Sequence, residues 1–144
     1  MRRLFRVLVL WCAVFGTGFA VAAGPAVTGT QTKQVQLVVR AQLDAFAGDD
    51  AQRAFSYAAA SIQQMFGTPD QFMELVRSSY PVVYRPASVT FLTPKADCKT
   101  IVQPVHMTDG QGVAWLAVYR VQQQKDRSWR IAGCVLVANS AQSI

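Results

Sequence analysis

The chain reads as an α+β domain, with three N-terminal helices packed on a four-stranded antiparallel meander. Two observations carry this. Up to Pro86 the apolar residues recur at three- and four-residue steps and beyond it they alternate, the periods of helix and strand. The alternating segments are joined by polar turns too short for a crossover, so neighbouring strands must run antiparallel.

From Thr32 to Gly48, Val35, Val38, Val39, Leu43 and Phe46 fall within about 140° of one another on a helix, and Gly48 is a plausible stop. Asp49 or Asp50 can cap a second helix with a smaller stripe of Ala54, Phe55 and Ala58. Ser61 to Phe66 adds one turn, ended by Gly67. Thr68-Pro69-Asp70-Gln71 has the capping-box spacing with proline at the first helical position. A third helix is therefore expected from Pro69 to about Ser79, burying Phe72, Leu75, Val76 and Tyr80 and closed by Pro81. Val89 and Phe91 mark the first strand; Thr100–Thr108, Val113–Gln123 and Trp129–Ala138 follow, separated by turns at 94–99, 109–112 and 125–127. Pro104 cannot donate to a ladder, so a bulge or a partly unpaired edge is expected there.

Aligning Ile131 with Val121, Val135 with Ala117 and Val137 with Trp115 puts these six on one face with Tyr119 and Trp129. That face is the expected seat of the helices. The opposite face, with Ala114, Leu116, Val118, Ala132, Cys134 and Leu136, and Val102 and Pro104 beside them, is apolar too. A solvated sheet face should be polar, so either part of the helical half wraps round it or a second copy of the chain covers it. The dimer is the preferred reading, with Leu116, Val118, Cys134 and Leu136 as interface candidates.

At 144 residues the chain has room for one domain, but its composition is uneven. Residues 1–22 hold 16 of the 74 hydrophobic residues and three of the 14 Lys and Arg. Arg2, Arg3 and Arg6, the apolar run Val7 to Phe15 and then Ala20-Val21-Ala22 read as a secretory signal peptide, with cleavage after Ala22 and Ala23 as the near alternative. A membrane span needs about 20 apolar residues, and this run meets Gly16 and Gly18 first. The expected organisation is a signal peptide over 1–22, a disordered lead over 23–32, the domain over 33–138 and a flexible tail over 139–144. The expected location is periplasmic or secreted, without a stable membrane anchor. The formal +6 falls to +3 once Arg2, Arg3 and Arg6 are removed, too mild and scattered a charge for nucleic acid.

Gln42-Leu43-Asp44-Ala45-Phe46, Ala54-Phe55, Ile62-Gln63, Phe66-Gly67-Thr68-Pro69, Phe72, Val76-Arg77, Tyr80-Pro81, Val83-Tyr84-Arg85-Pro86, Trp115, Ala117, Tyr119 and Ser128-Trp129-Arg130-Ile131 with Gly133-Cys134 together resemble a bacterial family of exported proteins, domain of unknown function 4864, of the nuclear transport factor 2-like superfamily. Ala60 stands where that family usually has proline, and Asp126-Arg127 replaces its Asp-Gly turn. The resemblance implies helices on a curved antiparallel sheet, forming a cone with an internal pocket, and frequent dimerisation through the sheet. The superfamily holds enzymes, binding modules and oligomerisation domains, so the fold alone implies no function.

Only Cys98 and Cys134 follow the signal segment. The predicted register separates them by two strands and at least four residues, roughly 13 Å along the strands, beyond the roughly 7 Å that a disulfide spans. A buried thiol is expected at Cys134. His106 is the one histidine, without the partners a metal site needs, and it falls on the face away from Trp115 and Tyr119. Asp44 borders the first helix's stripe; Asp49, Asp50 and Asp70 suit caps, and Asp97, Asp109 and Asp126 suit turns. No catalytic residue, cofactor or metal is assigned. Tyr80, Tyr84, Arg85, Trp115, Tyr119 and Trp129 are the pocket candidates, with rings for area and arginine for direction; the competing reading is that Trp115, Tyr119 and Trp129 fill the core. The expected function is a non-catalytic module that binds a small molecule or an envelope protein. The alternative is a small isomerase- or dehydratase-type enzyme using Asp44 or a tyrosine as proton carrier, and a third possibility is a structural adaptor.

Overall fold

The computed structural model describes residues 25–138. The expected signal peptide with its cleavage at Ala22 or Ala23, and the tail 139–144, lie outside the described residues. Five helices, α1 (Gly29–Ala47), α2 (Ala51–Ser56), α3 (Ala60–Phe66), α4 (Pro69–Ser79) and α5 (Pro81–Tyr84), precede five strands, β1 (Ser88–Phe91), β2 (Lys95–Asp97), β3 (Thr100–Thr108), β4 (Ala114–Gln123) and β5 (Trp129–Ala138). The α+β class and the antiparallel sheet stand, with two helices and one strand more than expected.

The differences have local causes. Thr28 accepts from the Gln31 backbone at 3.2 Å while the Gln31 side chain accepts from the Thr28 backbone at 3.0 Å. This capping box starts α1 at Gly29, inside the stretch expected as a disordered lead. Asp50 rather than Asp49 caps α2, accepting from the Arg53 backbone at 3.0 Å. Thr68 caps α4 as expected, but its own N–H donates to the Phe66 carbonyl at 2.8 Å, so the reciprocal half of that box is missing. Pro81 does end α4. Its missing N–H is no handicap in a first turn, so it also opens α5, a helix beyond those expected.

In the sheet the order is β1-β3-β4-β5, and β2 pairs with β3 beyond the end of β1. Pro104 falls in the gap between the residues of β3 that pair with β1 and those that pair with β2. The expectation of a partly unpaired edge is thereby met. Gln103, fully buried, turns its side-chain amide into this gap and donates to the Leu92 carbonyl at 2.7 Å and the Pro104 carbonyl at 2.8 Å.

β5 corrects the predicted register. Val121 pairs with Ile131 as expected, but Arg120 pairs with Gly133, so Ala132 is an extra residue in a bulge. One inserted residue exchanges the faces of everything after it. Cys134, opposite Tyr119, and Leu136, opposite Ala117, therefore face the helices. Val135 and Val137 turn outward, 62% and 49% exposed. Of the four interface candidates only Leu116 and Val118 keep the outer face; Cys134 and Leu136 pack against the core. The other edge of β5 is covered locally by the chain between α2 and α3, where Ile131 donates to the Tyr57 carbonyl and accepts from the Ala59 backbone, both at 2.8 Å.

The core lies between the helices and the inner sheet face. Val35, Val39, Leu43 and Phe46 of α1 meet Ile101, Val105 and Met107 of β3 and Ala117, Tyr119 and Val121 of β4, with Phe72, Met73 and Val76 of α4 at one end. Among the described residues no helix is long and apolar enough to cross a membrane.

Candidate functional site

The core is not filled. Between α1, α3, α4 and the inner face of β4 and β5 lies a cavity of about 340 Å³, walled largely by Phe46, Ile62, Phe66, Phe72, Leu75 and Val76, with Tyr80 from the junction of α4 and α5 and Tyr119 and Cys134 from the sheet. Its geometry follows from three local facts. The stripe Val35, Val39, Gln42, Phe46 turns a polar residue inward on α1, and the Gln42 amide is held by donating to the Ala54 carbonyl at 3.1 Å. The bulge at Ala132 swings Cys134 to the inside. α3 contributes Ile62, Met65 and Phe66 to the wall although none of its residues is buried. Met65 is 73% exposed while lining the cavity, which places the opening beside α3, the helix with least packing to hold it.

No Asp, Glu, His, Lys or Arg side chain lines this cavity. Tyr119 and Cys134 both stay neutral there. Burial, then the neighbouring Cys134, pushes the Tyr119 hydroxyl well above its ordinary 10.0, and burial pushes the Cys134 thiol up to about 12, against a smaller opposing effect of Tyr119. A thiol held in that form is not a nucleophile at neutral pH. The Tyr119 hydroxyl is buried against the Cys134 thiol, a weak donor and a weak acceptor, and meets no protein nitrogen or oxygen.

A second hollow, a groove of about 690 Å³, shares Tyr80 and Cys134 with the cavity and adds Arg85, Asp109, Trp115 and Leu136. The six pocket candidates are thus separated. Tyr80 borders both hollows, Tyr119 the cavity, and Arg85 and Trp115 the groove, whose Trp115 indole donates to Asp109 at 3.2 Å. Trp129 is a core residue with its indole donating to Gln34 at 3.0 Å. Tyr84 lines neither hollow: it donates to Asp49 and lies under the guanidinium groups of Arg77 and Arg85, 5.5 and 4.9 Å from its ring centre. Asp44 is exposed, and His106 sits on the outer face between Thr90 and Leu116. Cys98 and Cys134 are both free thiols. Among the described residues no three His, Cys, Asp or Glu gather as metal ligands.

Gln42, Phe46, Phe66 and Phe72 belong to the site, although the sequence marks the rings only as core. The one signal for Gln42 is a polar residue three after Val39 and four before Phe46 on an otherwise apolar stripe.

Asp49, expected as a cap, instead ties the α1–α2 turn to α4 and α5. At φ 55 it accepts from Tyr84 and, at 2.9 Å each, from Arg77 and Arg85. Tyr84 first and Arg77 second hold its carboxyl below the ordinary 3.8. A depressed folded-state pKa contributes stability above the unfolded value and loses it as pH falls through the folded one. As pH is lowered below the ordinary 3.8, then, the parent chain should lose more stability than Asp49→Ala, read from urea midpoints at each pH; equal losses would exclude this role for Asp49.

Residues 28–144 match the model of a family described as a domain of unknown function, DUF4864. No curated protein and no solved structure matches the chain.

Proposed function

We propose that this chain, which belongs to the DUF4864 family, is an exported, non-catalytic module that holds a small apolar molecule between its helices and its sheet and pairs with a second copy through the outer sheet face. The observation that carries the reading is the cavity of about 340 Å³ with a mainly apolar and aromatic wall. A concave, mainly apolar hollow of this size is what small-molecule sites present. Its position beneath the helices favours a small molecule over an envelope protein as the ligand. We read the helices on one face of the sheet, with a hollow between, as a nuclear transport factor 2-like cone.

Binding is preferred to chemistry because the wall carries no Asp, Glu, His, Lys or Arg side chain and Tyr119 and Cys134 both hold their protons, whereas a general base needs a pKa near the working pH. Asp44, the aspartate of the isomerase alternative, is exposed and outside the wall. Pairing is inferred from Leu116, Val118, Val135 and Val137 on the outer face, an apolar patch that a monomer would leave wet. Export rests on residues 1–22.

Native mass spectrometry of the purified chain tests both halves. The expected species is a dimer with about one small molecule per chain. Leu75→Trp, filling the cavity, should lose the bound mass and stay dimeric, and Leu116→Glu with Val135→Glu should lose the dimer and keep the bound mass. A parent chain that is monomeric overturns the pairing, and bound mass that survives Leu75→Trp overturns the cavity as its seat.

A further inference from the structure

The sheet has two edges, and only one of them is guarded. At the first, β1 is four residues long and β2 three, with Lys95 and Asp97 among them; short and charged strands discourage further pairing. At the second, Gly133 to Ala138 carry no charge and no proline, and Val135 and Val137 are exposed. The Ile131 N–H and C=O point away from β4 and meet Tyr57 and Ala59. Backbone groups alternate sides along a strand, and the bulge adds one residue, so the next groups on that side belong to Cys134, Leu136 and Ala138. Counting from the other end gives the same phase. Asp109 donates to the Val113 carbonyl, which directs the Trp115 backbone to β3 and leaves its partner Ala138 facing outward. Among the described residues no backbone group reaches these three from outside the sheet.

This bare edge borders the groove of about 690 Å³, which Cys134 and Leu136 line together with Tyr80, Val82 and Arg85 from the α4–α5 junction. Arg77 and Arg85 share the single carboxylate of Asp49, which leaves one positive charge on the helical side. Asp109, also in the groove, is held by the Trp115 indole and by the Gln111 and Val113 N–H groups. We infer that the groove takes an extended segment of another protein, which adds to β5 as a further strand, with apolar residues at alternate positions facing Tyr80 and Val82 and an acidic residue beside Arg85. In strand addition the backbone bonds supply affinity and the alternate side chains supply selectivity. A second copy fits this edge less well. Two-fold pairing of β5 with its own copy sets both helical layers on one side of a continuous sheet, so the α4–α5 junctions would meet across the groove, whereas a single extended chain lies between edge and junction. This site depends neither on the cavity nor on pairing through the outer face.

Selection from a display library of random octapeptides on the full chain supplies the probe, and the tightest-binding peptide is then synthesised. It should alternate apolar residues, carry Asp or Glu, and slow hydrogen exchange at the Cys134 and Leu136 amides. Two N-methylated forms, blocking alternate N–H groups in opposite phases, should differ, because an added strand bonds through every second N–H. One should lose about tenfold or more in affinity and the other stay within about twofold. Both are measured on the unaltered protein, so folding does not enter. Arg85→Gln should weaken the parent peptide about fivefold, the scale of one exposed ion pair; unchanged affinity would strike the acidic residue from the inference. Failure to select any peptide, equal binding of the two methylated forms, or unchanged exchange at Cys134 and Leu136 would overturn strand addition. So would amides already protected in the protein alone: protection lost on dilution would assign the edge to a second copy, and protection independent of concentration to residues 139–144 of the same chain. None of these outcomes bears on the cavity.

Discussion

Phe72→Ala should lower the unfolding free energy by about 3–5 kcal/mol, the range for removing a buried aromatic ring, and the melting temperature by about 10–20 °C for a domain of this size. The ring is the joint of the helical layer. Phe72, in α4 and 8% exposed, lies 5.9 Å from Phe46 of α1, 5.6 Å from Phe55 of α2 and 5.6 Å from Phe66 of α3, tilted against each. Tilted pairs of this kind add about 0.5–1.5 kcal/mol each beyond area burial. α3 has no buried residue of its own, so Phe66 against Phe72 is a main reason it stays on the domain. Because Phe72 also forms part of the cavity wall, the variant should bind apolar ligands weakly even at temperatures where it is folded. Phe72→Leu keeps most of the packing and should cost about 1–2 kcal/mol, whereas Met65→Ala, at an exposed position, should fall within about 0.5 kcal/mol of the parent. Differential scanning calorimetry of the three variants is the check; a Phe72→Ala loss below about 1 kcal/mol would mean the four rings do not share one core.

How far the sequence could be read depended on whether a signal was local. α4 was legible because threonine, proline and four inward apolar positions all act between Thr68 and Tyr80. β3 was legible in extent because alternation runs unbroken between polar turns, and β5 because a largely apolar stretch follows the polar turn at 125–127. The face of β5 was not. Periodicity locates a strand but does not count bulges, and Ala132 exchanges the two faces of every later residue. Gly133, an isolated glycine in an otherwise apolar strand, was the available warning. α5 was hidden because a proline after a helix reads equally as a stop and as a new start. At the site, Tyr80 and Tyr119 were reached by residue type, while Gln42, Cys134 and the phenylalanines were not. Whether a ring fills the core or lines a void depends on summed side-chain volumes across three helices and a sheet, and no spacing along the chain encodes that.

The second large effect concerns the break in the sheet at Pro104. Leu92 donates to the Pro104 carbonyl at 3.0 Å. In an antiparallel pair the return bond would run from the N–H of residue 104 to the Leu92 carbonyl, and proline has no N–H to give. The Gln103 side chain makes that bond instead, at 2.7 Å, and its own Oε1 is left buried without a partner. Gln103→Leu should therefore cost about 1–3 kcal/mol, the range for leaving a carbonyl without its donor. Pro104→Ala supplies the missing donor and loses only proline's restriction of the unfolded chain, so it should lie within about 1 kcal/mol of the parent. The decisive quantity is the double variant. With Ala at 104 the Leu92 carbonyl has a backbone donor, Gln103 becomes redundant, and replacing it removes an unsatisfied buried oxygen. Gln103→Leu should then be nearly neutral or stabilising, a coupling of about 1 kcal/mol or more between adjacent positions. Urea unfolding of the four proteins measures the cycle. Costs that add to within about 0.5 kcal/mol would mean that the glutamine does not stand in for the proline's missing donor, and that the sheet tolerates the gap between β1 and β2 by some other contact.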